Sequence, residues 1–205
     1  MSSTVTFLFT DIEDSTRLWD AQPARMAAVL ARHDALCRGV VAEARGRVVK
    51  TTGDGLYAAF EDPFEALSAA IELQRGVQAL ARESDLALKM RCGLHCGAAE
   101  ARDGDYFGPA VNCAARVMDA AHGGQVLVTQ AVVDRAGGRH PEGADLLHLG
   151  RMRLRGVASP VDMSGRCVMA IFAVRFRRCA RSTRFRTTCR GTRRASSVER
   201  FKSQR

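Results

Sequence analysis

The chain has 205 residues, of which 46% are hydrophobic, so it is long and apolar enough for one domain with its own core. No apolar run approaches the roughly 18 residues of a membrane-spanning helix, and a strand-like segment follows Met1-Ser2-Ser3 directly, so neither a membrane anchor nor a secretory signal is expected. Seven cysteines without a CxxC pair argue against a disulfide framework or a zinc site and favour reduced thiols in the cytoplasm.

The net charge of +9 describes neither half of the chain. Residues 1–150 contain 15 basic and 20 acidic side chains, whereas residues 151–205 contain 16 basic and 2 acidic ones. The acidic body argues against a nucleic-acid-binding domain. The Arg-rich C-terminal segment lacks sustained periodicity and is expected to be disordered, with only weak binding to phosphate backbones and no sequence preference. Its composition leaves two interpretations open, a functional tail or the product of a frameshift in GC-rich coding DNA.

Two predicted turns carry isolated carboxylates. The apolar run from Val5 to Phe9 predicts a buried strand, and it ends at Thr10-Asp11. Residues 47–60 predict a hairpin whose Gly-Asp-Gly tip contains Asp54. A carboxylate at the end of a buried strand lies at the edge of a sheet, where α/β proteins hold ligands. Two such carboxylates, brought together, are ligands of the kind that Mg²⁺ and Mn²⁺ prefer.

The other elements follow from apolar periodicity and from proline and glycine signals. In chain order they are a helix over residues 23–45, a helix from residue 63, a strand over 86–96, a polar loop over 100–105, a helix over 109–122, a strand over 125–128, a helix over 129–136, and closing strands over 146–149 and 151–155. The order β-α-β-β-α-β is that of a ferredoxin-like core with additions.

Three segments resemble motifs of the class III nucleotide cyclases. These are FTDIEDST, KTTGDG and GDYFGPAVNCAAR, which occur in the family's order and at fitting spacing between about Thr4 and about Met163. The resemblance implies an α+β fold with a ferredoxin-like βαββαβ core, in which helices pack on an antiparallel sheet. It implies a catalytic domain over residues 1–163, followed by the basic tail over residues 164–205.

The resemblance also assigns a metal site and a phosphate loop. It implies that Asp11 and Asp54, assisted by the backbone carbonyl of Ile12, hold two divalent ions, Mg²⁺ or Mn²⁺. The turn from Ile12 to Thr16 resembles the family's phosphate loop, whose backbone N–H groups face the β- and γ-phosphates. That loop comprises Ile12, Glu13, Asp14, Ser15 and Thr16. The family usually has glycine at the position of Asp14, so a carboxylate there is expected to weaken substrate binding unless it points to solvent.

Four further residues match the family's substrate-binding positions. Asn112 and Arg116 are four residues apart on a predicted helix and therefore share a face. The resemblance implies that Asn112 positions the ribose and that Arg116 stabilises charge on the α-phosphate in the transition state. Lys50 and Asp105 match the base-selecting pair. A lysine that donates to adenine N1, beside a carboxylate that accepts from N6, favours ATP over GTP.

In this family the metal-binding half of each site comes from one protomer and the remaining half from the other. A chain that holds both halves is expected to form a head-to-tail homodimer with two equivalent sites. The expected function is an adenylate cyclase that converts ATP to 3′,5′-cyclic AMP and pyrophosphate. The main alternative is a catalytically weak, nucleotide-sensing module of a signalling or transcriptional regulator. A nucleic-acid binder, which rests on the basic tail alone, is the third interpretation.

Overall fold

A computed structural model of the chain describes residues 2–142, 144 and 146–167. Eight strands lie in that part: β1 (Ser2–Ile12), β2 (Arg47–Thr52), β3 (Gly55–Phe60), β4 (Met90–Arg102), β5 (Asp105–Phe107), β6 (Gln125–Thr129), β7 (Leu147–Met152) and β8 (Val161–Cys167). Five helices accompany them: α1 (Ser15–Ala21), α2 (Pro23–Glu43), α3 (Pro63–Ser84), α4 (Pro109–Ala120) and α5 (Gln130–Arg135). The predicted disorder of the tail concerns residues that lie outside the described ones, except at its start, where β8 continues to Cys167.

The strands form one sheet in the order β2-β3-β1-β4-β6-β8-β7, and β5 pairs with β4. Among the described strands all pairings are antiparallel except that of β4 with β6. The succession β1, α2, β2, β3, α3, β4 with the spatial order β2-β3-β1-β4 has the connectivity of a ferredoxin-like unit. The predicted α+β fold is therefore confirmed.

The two faces of the sheet have different partners, because successive side chains of a strand point to opposite faces. Leu8 and Ile12 of β1 belong to the larger core cluster, which includes most of the buried residues of α2 and α3. Val5 and Phe7 belong to a second cluster, which includes the buried alanines of α4. Asp11 is in step with Val5 and Phe7, so its side chain projects on the α4 face.

The predicted helix starts are confirmed and have simple local causes. α2, α3 and α4 each begin with a proline, which suits the first turn because its missing N–H has no acceptor there. At α3 the preceding Asp62 also caps the helix, since its Oδ1 accepts the N–H of Phe64 at 2.9 Å. α4 lies very close to the sheet at Gly93, where an added Cβ would come within 2.1 Å of the backbone nitrogen of Met118. Only glycine permits this approach of helix and strand.

Two segments differ from the prediction. The polar residues 100–105 are the end of β4 and a tight turn into β5, with Asp103 and Gly104 at positive φ as a two-residue hairpin turn requires. The predicted closing strands at 146–149 and 151–155 are one strand, β7, which pairs with β8. Gly150 lies at the irregularity in the register between β7 and β8, and the strand continues through it.

One helix was not predicted, since α1 follows the first motif without an apolar stripe and contains no buried residue. Four cysteines in the described part of the chain are buried and free, namely Cys37, Cys92, Cys96 and Cys113. Across the described residues, none of the helices combines the length and the apolar character needed to span a membrane.

Candidate active site

The two predicted metal ligands are held together by backbone packing between β1 and the turn after β2. The Thr10 hydroxyl accepts the N–H of Leu56 at 3.1 Å, which ties the end of β1 to the start of β3. At Gly55 an added Cβ would lie 2.4 Å from the Thr10 carbonyl oxygen, so the turn is drawn tightly against β1. Asp54 immediately precedes this contact and Asp11 immediately follows it along β1. The fold thus brings the two carboxylates to one place.

The electrostatics of this acid pair suit a cation. Burial is the main cause that raises the pKa of Asp11, and the nearby negative charges of Asp54 and Asp119 raise it further. Within the described residues, Oδ2 of Asp54 is buried and has no hydrogen-bond partner. A buried carboxylate oxygen without a donor, beside a second carboxylate, fits a divalent ion. No group of three or more His, Cys, Asp or Glu side chains able to hold a metal occurs in that part of the chain.

Arg91 contacts the first of these carboxylates, and the sequence analysis did not identify it. It lies directly opposite Asp11 in the β1–β4 pairing. Its Nε and Nη2 atoms donate to Oδ2 of Asp11 at 2.9 and 2.5 Å. This ion pair lowers the pKa of Asp11, against the effect of burial. Only the strand register places these residues together, since they are 80 positions apart in the chain.

Glu13 fixes the segment that resembles a phosphate loop through two hydrogen bonds. Its backbone N–H donates to the Lys89 carbonyl at 2.8 Å, and its Oε1 accepts the N–H of Gly123 at 2.9 Å. Glu13 is therefore turned toward the loop after α4 and anchors the segment there. Ser15 and Thr16 open α1, and the first N–H groups of a helix have no acceptor within the helix.

Asp14 takes up a left-handed backbone conformation at φ 56°. Glycine adopts this conformation without strain, and aspartate tolerates it better than most residues. Its side chain is 69% exposed, and its Oδ2 lies 3.9 Å from Nη1 of Arg17. The backbone conformation gives a physical reason for glycine at this position and shows that aspartate can replace it.

Lys50 and Asp105 form the pair that the resemblance predicted. Nζ of Lys50 donates to Oδ2 of Asp105 at 2.7 Å, between β2 and β5. The backbone N–H of Tyr106 donates to the other carboxylate oxygen at 2.7 Å. The hydrogen bond from Lys50 is the main cause that lowers the pKa of Asp105. The Lys50 ammonium also lies 5.9 Å from the ring centroid of Tyr57, on the α4 face of the sheet.

Asn112 and Arg116 are both exposed on α4, one turn apart. Nη1 of Arg116 donates to Oδ2 of Asp119 at 2.8 Å. Among the described residues, no hydrogen bond or ion pair joins Asn112 or Arg116 to the acid pair or to the base-selecting pair. Within one chain the structure brings the members of two predicted pairs together, Asp11 with Asp54 and Lys50 with Asp105.

The geometry agrees with the comparison to known families. Residues 1–172 match the family model of the adenylate and guanylate cyclase catalytic domain. The chain belongs to this cyclase family.

Individual relatives support the same assignment. An uncharacterised protein of Mycobacterium tuberculosis is 38% identical to this cyclase domain over 161 residues, which cover 78% of the chain and 54% of the relative. A receptor-type adenylate cyclase of Trypanosoma equiperdum is 34% identical, over 80% of the chain and 44% of the relative. The chain spans about half the length of these curated relatives. Among solved structures, a Trypanosoma brucei adenylate cyclase in its monomeric state superimposes with a TM-score of 0.72 at 31% identity, over 83% of the chain and 91% of that structure.

The sequence motifs of the cyclase domain indicated six site residues, but they did not predict the contacts of three groups that bear on them. Arg91 depends on strand register, and Glu13 was assigned to the phosphate loop when its side chain anchors that loop to Gly123. Asp119 is the exception, because its spacing of three from Arg116 on a predicted helix is a signal that sequence alone contains.

Proposed function

We propose that this cyclase domain is an adenylate cyclase, which converts ATP to 3′,5′-cyclic AMP and pyrophosphate at sites shared between two copies of the chain. The observation that carries the proposal is the Lys50–Asp105 hydrogen bond of 2.7 Å. It places a cationic donor beside a carboxylate acceptor, in the order that adenine N1 and N6 require. Guanine offers an acceptor at O6 and a donor at N1, so the same pair would leave its groups mismatched.

Asp11 and Asp54 are the side chains that would hold two Mg²⁺ or Mn²⁺ ions, with help from the Ile12 carbonyl. Bound there, such ions lower the pKa of the ribose 3′-hydroxyl and neutralise charge on the phosphates. The buried Oδ2 of Asp54, which has no donor among the described residues, supports this role. The chain's own contribution is to fix the acid pair through the tight contact at Gly55.

The other residues act on the substrate. Asn112 orients the ribose, and Arg116 donates to the α-phosphate as negative charge develops there. The exposed position of Arg116, and its weak surface pairing with Asp119, leave its guanidinium free to exchange one anion for another. The N–H groups of Ser15 and Thr16 face the terminal phosphates.

A head-to-tail homodimer follows from the way the site residues are divided. In a single chain no hydrogen bond or ion pair among the described residues joins Arg116 to the acid pair, and in the proposed assembly a second copy supplies its Arg116 to that site. The α4 face supports this assembly, because it carries apolar side chains that are only partly buried, namely Phe9, Val49, Tyr106 and Val111. Phe107 on β5 is 43% exposed. The cytoplasmic location inferred from the cysteines stays a prediction.

The decisive experiment incubates the purified chain with ATP or GTP and Mn²⁺ or Mg²⁺ and separates the products by chromatography. We expect cyclic AMP from ATP, little cyclic product from GTP, and no reaction in EDTA. Asp54→Ala should remove the activity and leave the circular dichroism spectrum unchanged. Glu43→Ala, which removes an exposed acid at the end of α2, is the matched control and should remain active. Full activity of Asp54→Ala would show that the metal assignment is wrong.

A nucleotide-sensing module without turnover is the second candidate. The observation that favours it is that Arg91 and Arg116 are both engaged by carboxylates of the same chain. Calorimetric titration with ATP distinguishes the two functions: saturable binding without cyclic product would support the sensor, whereas turnover supports the cyclase.

A further inference from the structure

The contact between Arg91 and Asp11 is a built feature of the sheet. The two residues face each other across the β1–β4 pairing, so strand register fixes their separation. Both side chains are partly buried, with 29% and 24% of their surface exposed, which reduces screening by water. Both contacting atoms of the guanidinium, Nε and Nη2, donate to one oxygen, Oδ2. Among the described residues the other oxygen of Asp11 receives no hydrogen bond and stays available to a ligand.

Two carboxylates and one arginine act on the charge of Asp11. Asp54 and Asp119 add negative charge that acts on Asp11, and Arg91 is the cation whose hydrogen bonds and charge act on it in the opposite direction. Asp54, for its part, has a buried oxygen without a donor. Arg91 is thus the one cation that contacts this acid pair among the described residues, and it contacts Asp11.

We propose that Arg91 is the resident counter-ion of the acid pair, a positioning residue that holds Asp11 in place before a divalent ion binds and competes electrostatically with that ion. The inference rests on the proposed function, because it takes Asp11 and Asp54 as the metal ligands. It goes beyond that function by assigning the metal affinity of this chain to a residue outside the metal-binding motifs.

The sign of the effect follows from Coulomb's law. A fixed positive charge a few Ångström from a divalent ion opposes its binding, and hydrogen bonds to Oδ2 further withdraw electron density from the ligand. Removing the charge should therefore tighten binding, by about tenfold for unit and double charges in a solvated site. In the absence of metal the same change should lower stability, because the carboxylates then repel each other without a counter-charge.

The test measures Mn²⁺ alone, without nucleotide, on the full-length chain. Free Mn²⁺ is counted from its paramagnetic resonance signal during titration, and thermal midpoints are recorded in EDTA and in saturating Mn²⁺. Arg91→Met removes the charge, and Arg91→Lys keeps it. Arg32→Met is the matched control, since Arg32 pairs with Glu83 between α2 and α3, on the other face of the sheet. Asp54→Ala shows which part of the binding belongs to the site.

We expect Arg91→Met to bind Mn²⁺ about tenfold more tightly than the wild type, to melt earlier in EDTA and to gain more from Mn²⁺. Arg91→Lys should stay near the wild-type affinity, and Arg32→Met should show the wild-type response to Mn²⁺. Equal or weaker binding by Arg91→Met overturns the inference, and the proposed function survives that result if the wild type still makes cyclic AMP. Absence of Asp54-dependent Mn²⁺ binding in both the wild type and Arg91→Met overturns the inference and the metal assignment together.

Discussion

At the scale of single residues, the site combines positions that the motif spacing reveals with positions that only the backbone explains. Asp14 illustrates the second kind. Its φ of 56° shows why the family favours glycine there, and its exposed side chain shows that the carboxylate is directed to solvent. The sequence left open whether the Asp14 carboxylate points toward the phosphates, and the structure shows that this side chain is exposed.

Asp14→Gly should therefore change substrate affinity little. Because the carboxylate is 69% exposed and lies near Arg17, we expect the KM for ATP to stay within about twofold of the wild-type value, as measured by initial rates at saturating Mn²⁺. Asp14→Ala is the structural control and should lower stability by roughly 1 kcal/mol, because alanine is strained at positive φ. A several-fold fall in KM for Asp14→Gly would mean that the carboxylate faces the phosphates after all.

Lys50→Met tests the base-selecting pair through the titration of its partner. Because the hydrogen bond from Lys50 holds the pKa of Asp105 below its ordinary 3.8, the pair contributes its full stability above pH 3.8 and loses it as the pH falls through the lower, folded value. The variant should return the pKa of Asp105 toward 3.8, observed by carboxyl NMR. It should also raise the KM for ATP and reduce the preference over GTP. An unchanged pKa would show that the pair does not persist in solution.

At the scale of elements, prediction succeeded where local chemistry decides and failed where register decides. Proline starts, the Gly-Asp-Gly hairpin and the βαββαβ order of the core follow from composition and periodicity. The end of β4 was taken for a loop because its residues are polar, and polar residues are common in a strand whose end is solvated. Arg91 was missed for a related reason. Its contact with Asp11 depends on the register of the β1–β4 pairing, and segments far apart in the sequence set that register.

Gly55→Ala should disturb the acid pair without touching either carboxylate. The added methyl group would lie 2.4 Å from the Thr10 carbonyl oxygen, so the turn must move away from β1 and carry Asp54 with it. We expect a loss of roughly 1–3 kcal/mol in the free energy of unfolding and weaker binding of Mn²⁺. Gly39→Ala in α2, where nothing lies within 4 Å, is the control and should be neutral or slightly stabilising in urea denaturation. Unchanged Mn²⁺ binding in Gly55→Ala would separate the turn from the metal site.

At the scale of the whole molecule, the proposed function places each site between two copies of the chain. Asp54→Ala and Arg116→Ala chains should each be nearly inactive alone, since each damages both sites of a homodimer. In a mixed dimer both lesions fall in one site, and the other site is intact. Random exchange makes about half of the dimers mixed, so the mixture should regain about a quarter of the wild-type activity if the sites act independently.

The control for this experiment is a chain that carries both substitutions, which should rescue neither single variant. Size-exclusion chromatography coupled to light scattering establishes that the chains exchange. If exchange occurs and no activity returns, the site is built within one chain and the shared arrangement is wrong.

The central position of β1 also has a consequence for biosynthesis. β1 leaves the ribosome before both of its neighbours in the sheet, β3 and β4, and the Asp11–Arg91 contact spans 80 residues. At typical elongation rates, β1 waits on the order of 5–20 s for β4 to emerge. During that time an apolar strand is exposed without its partner, so nascent chains that stall before residue 90 are the ones most exposed to aggregation and to capture by chaperones.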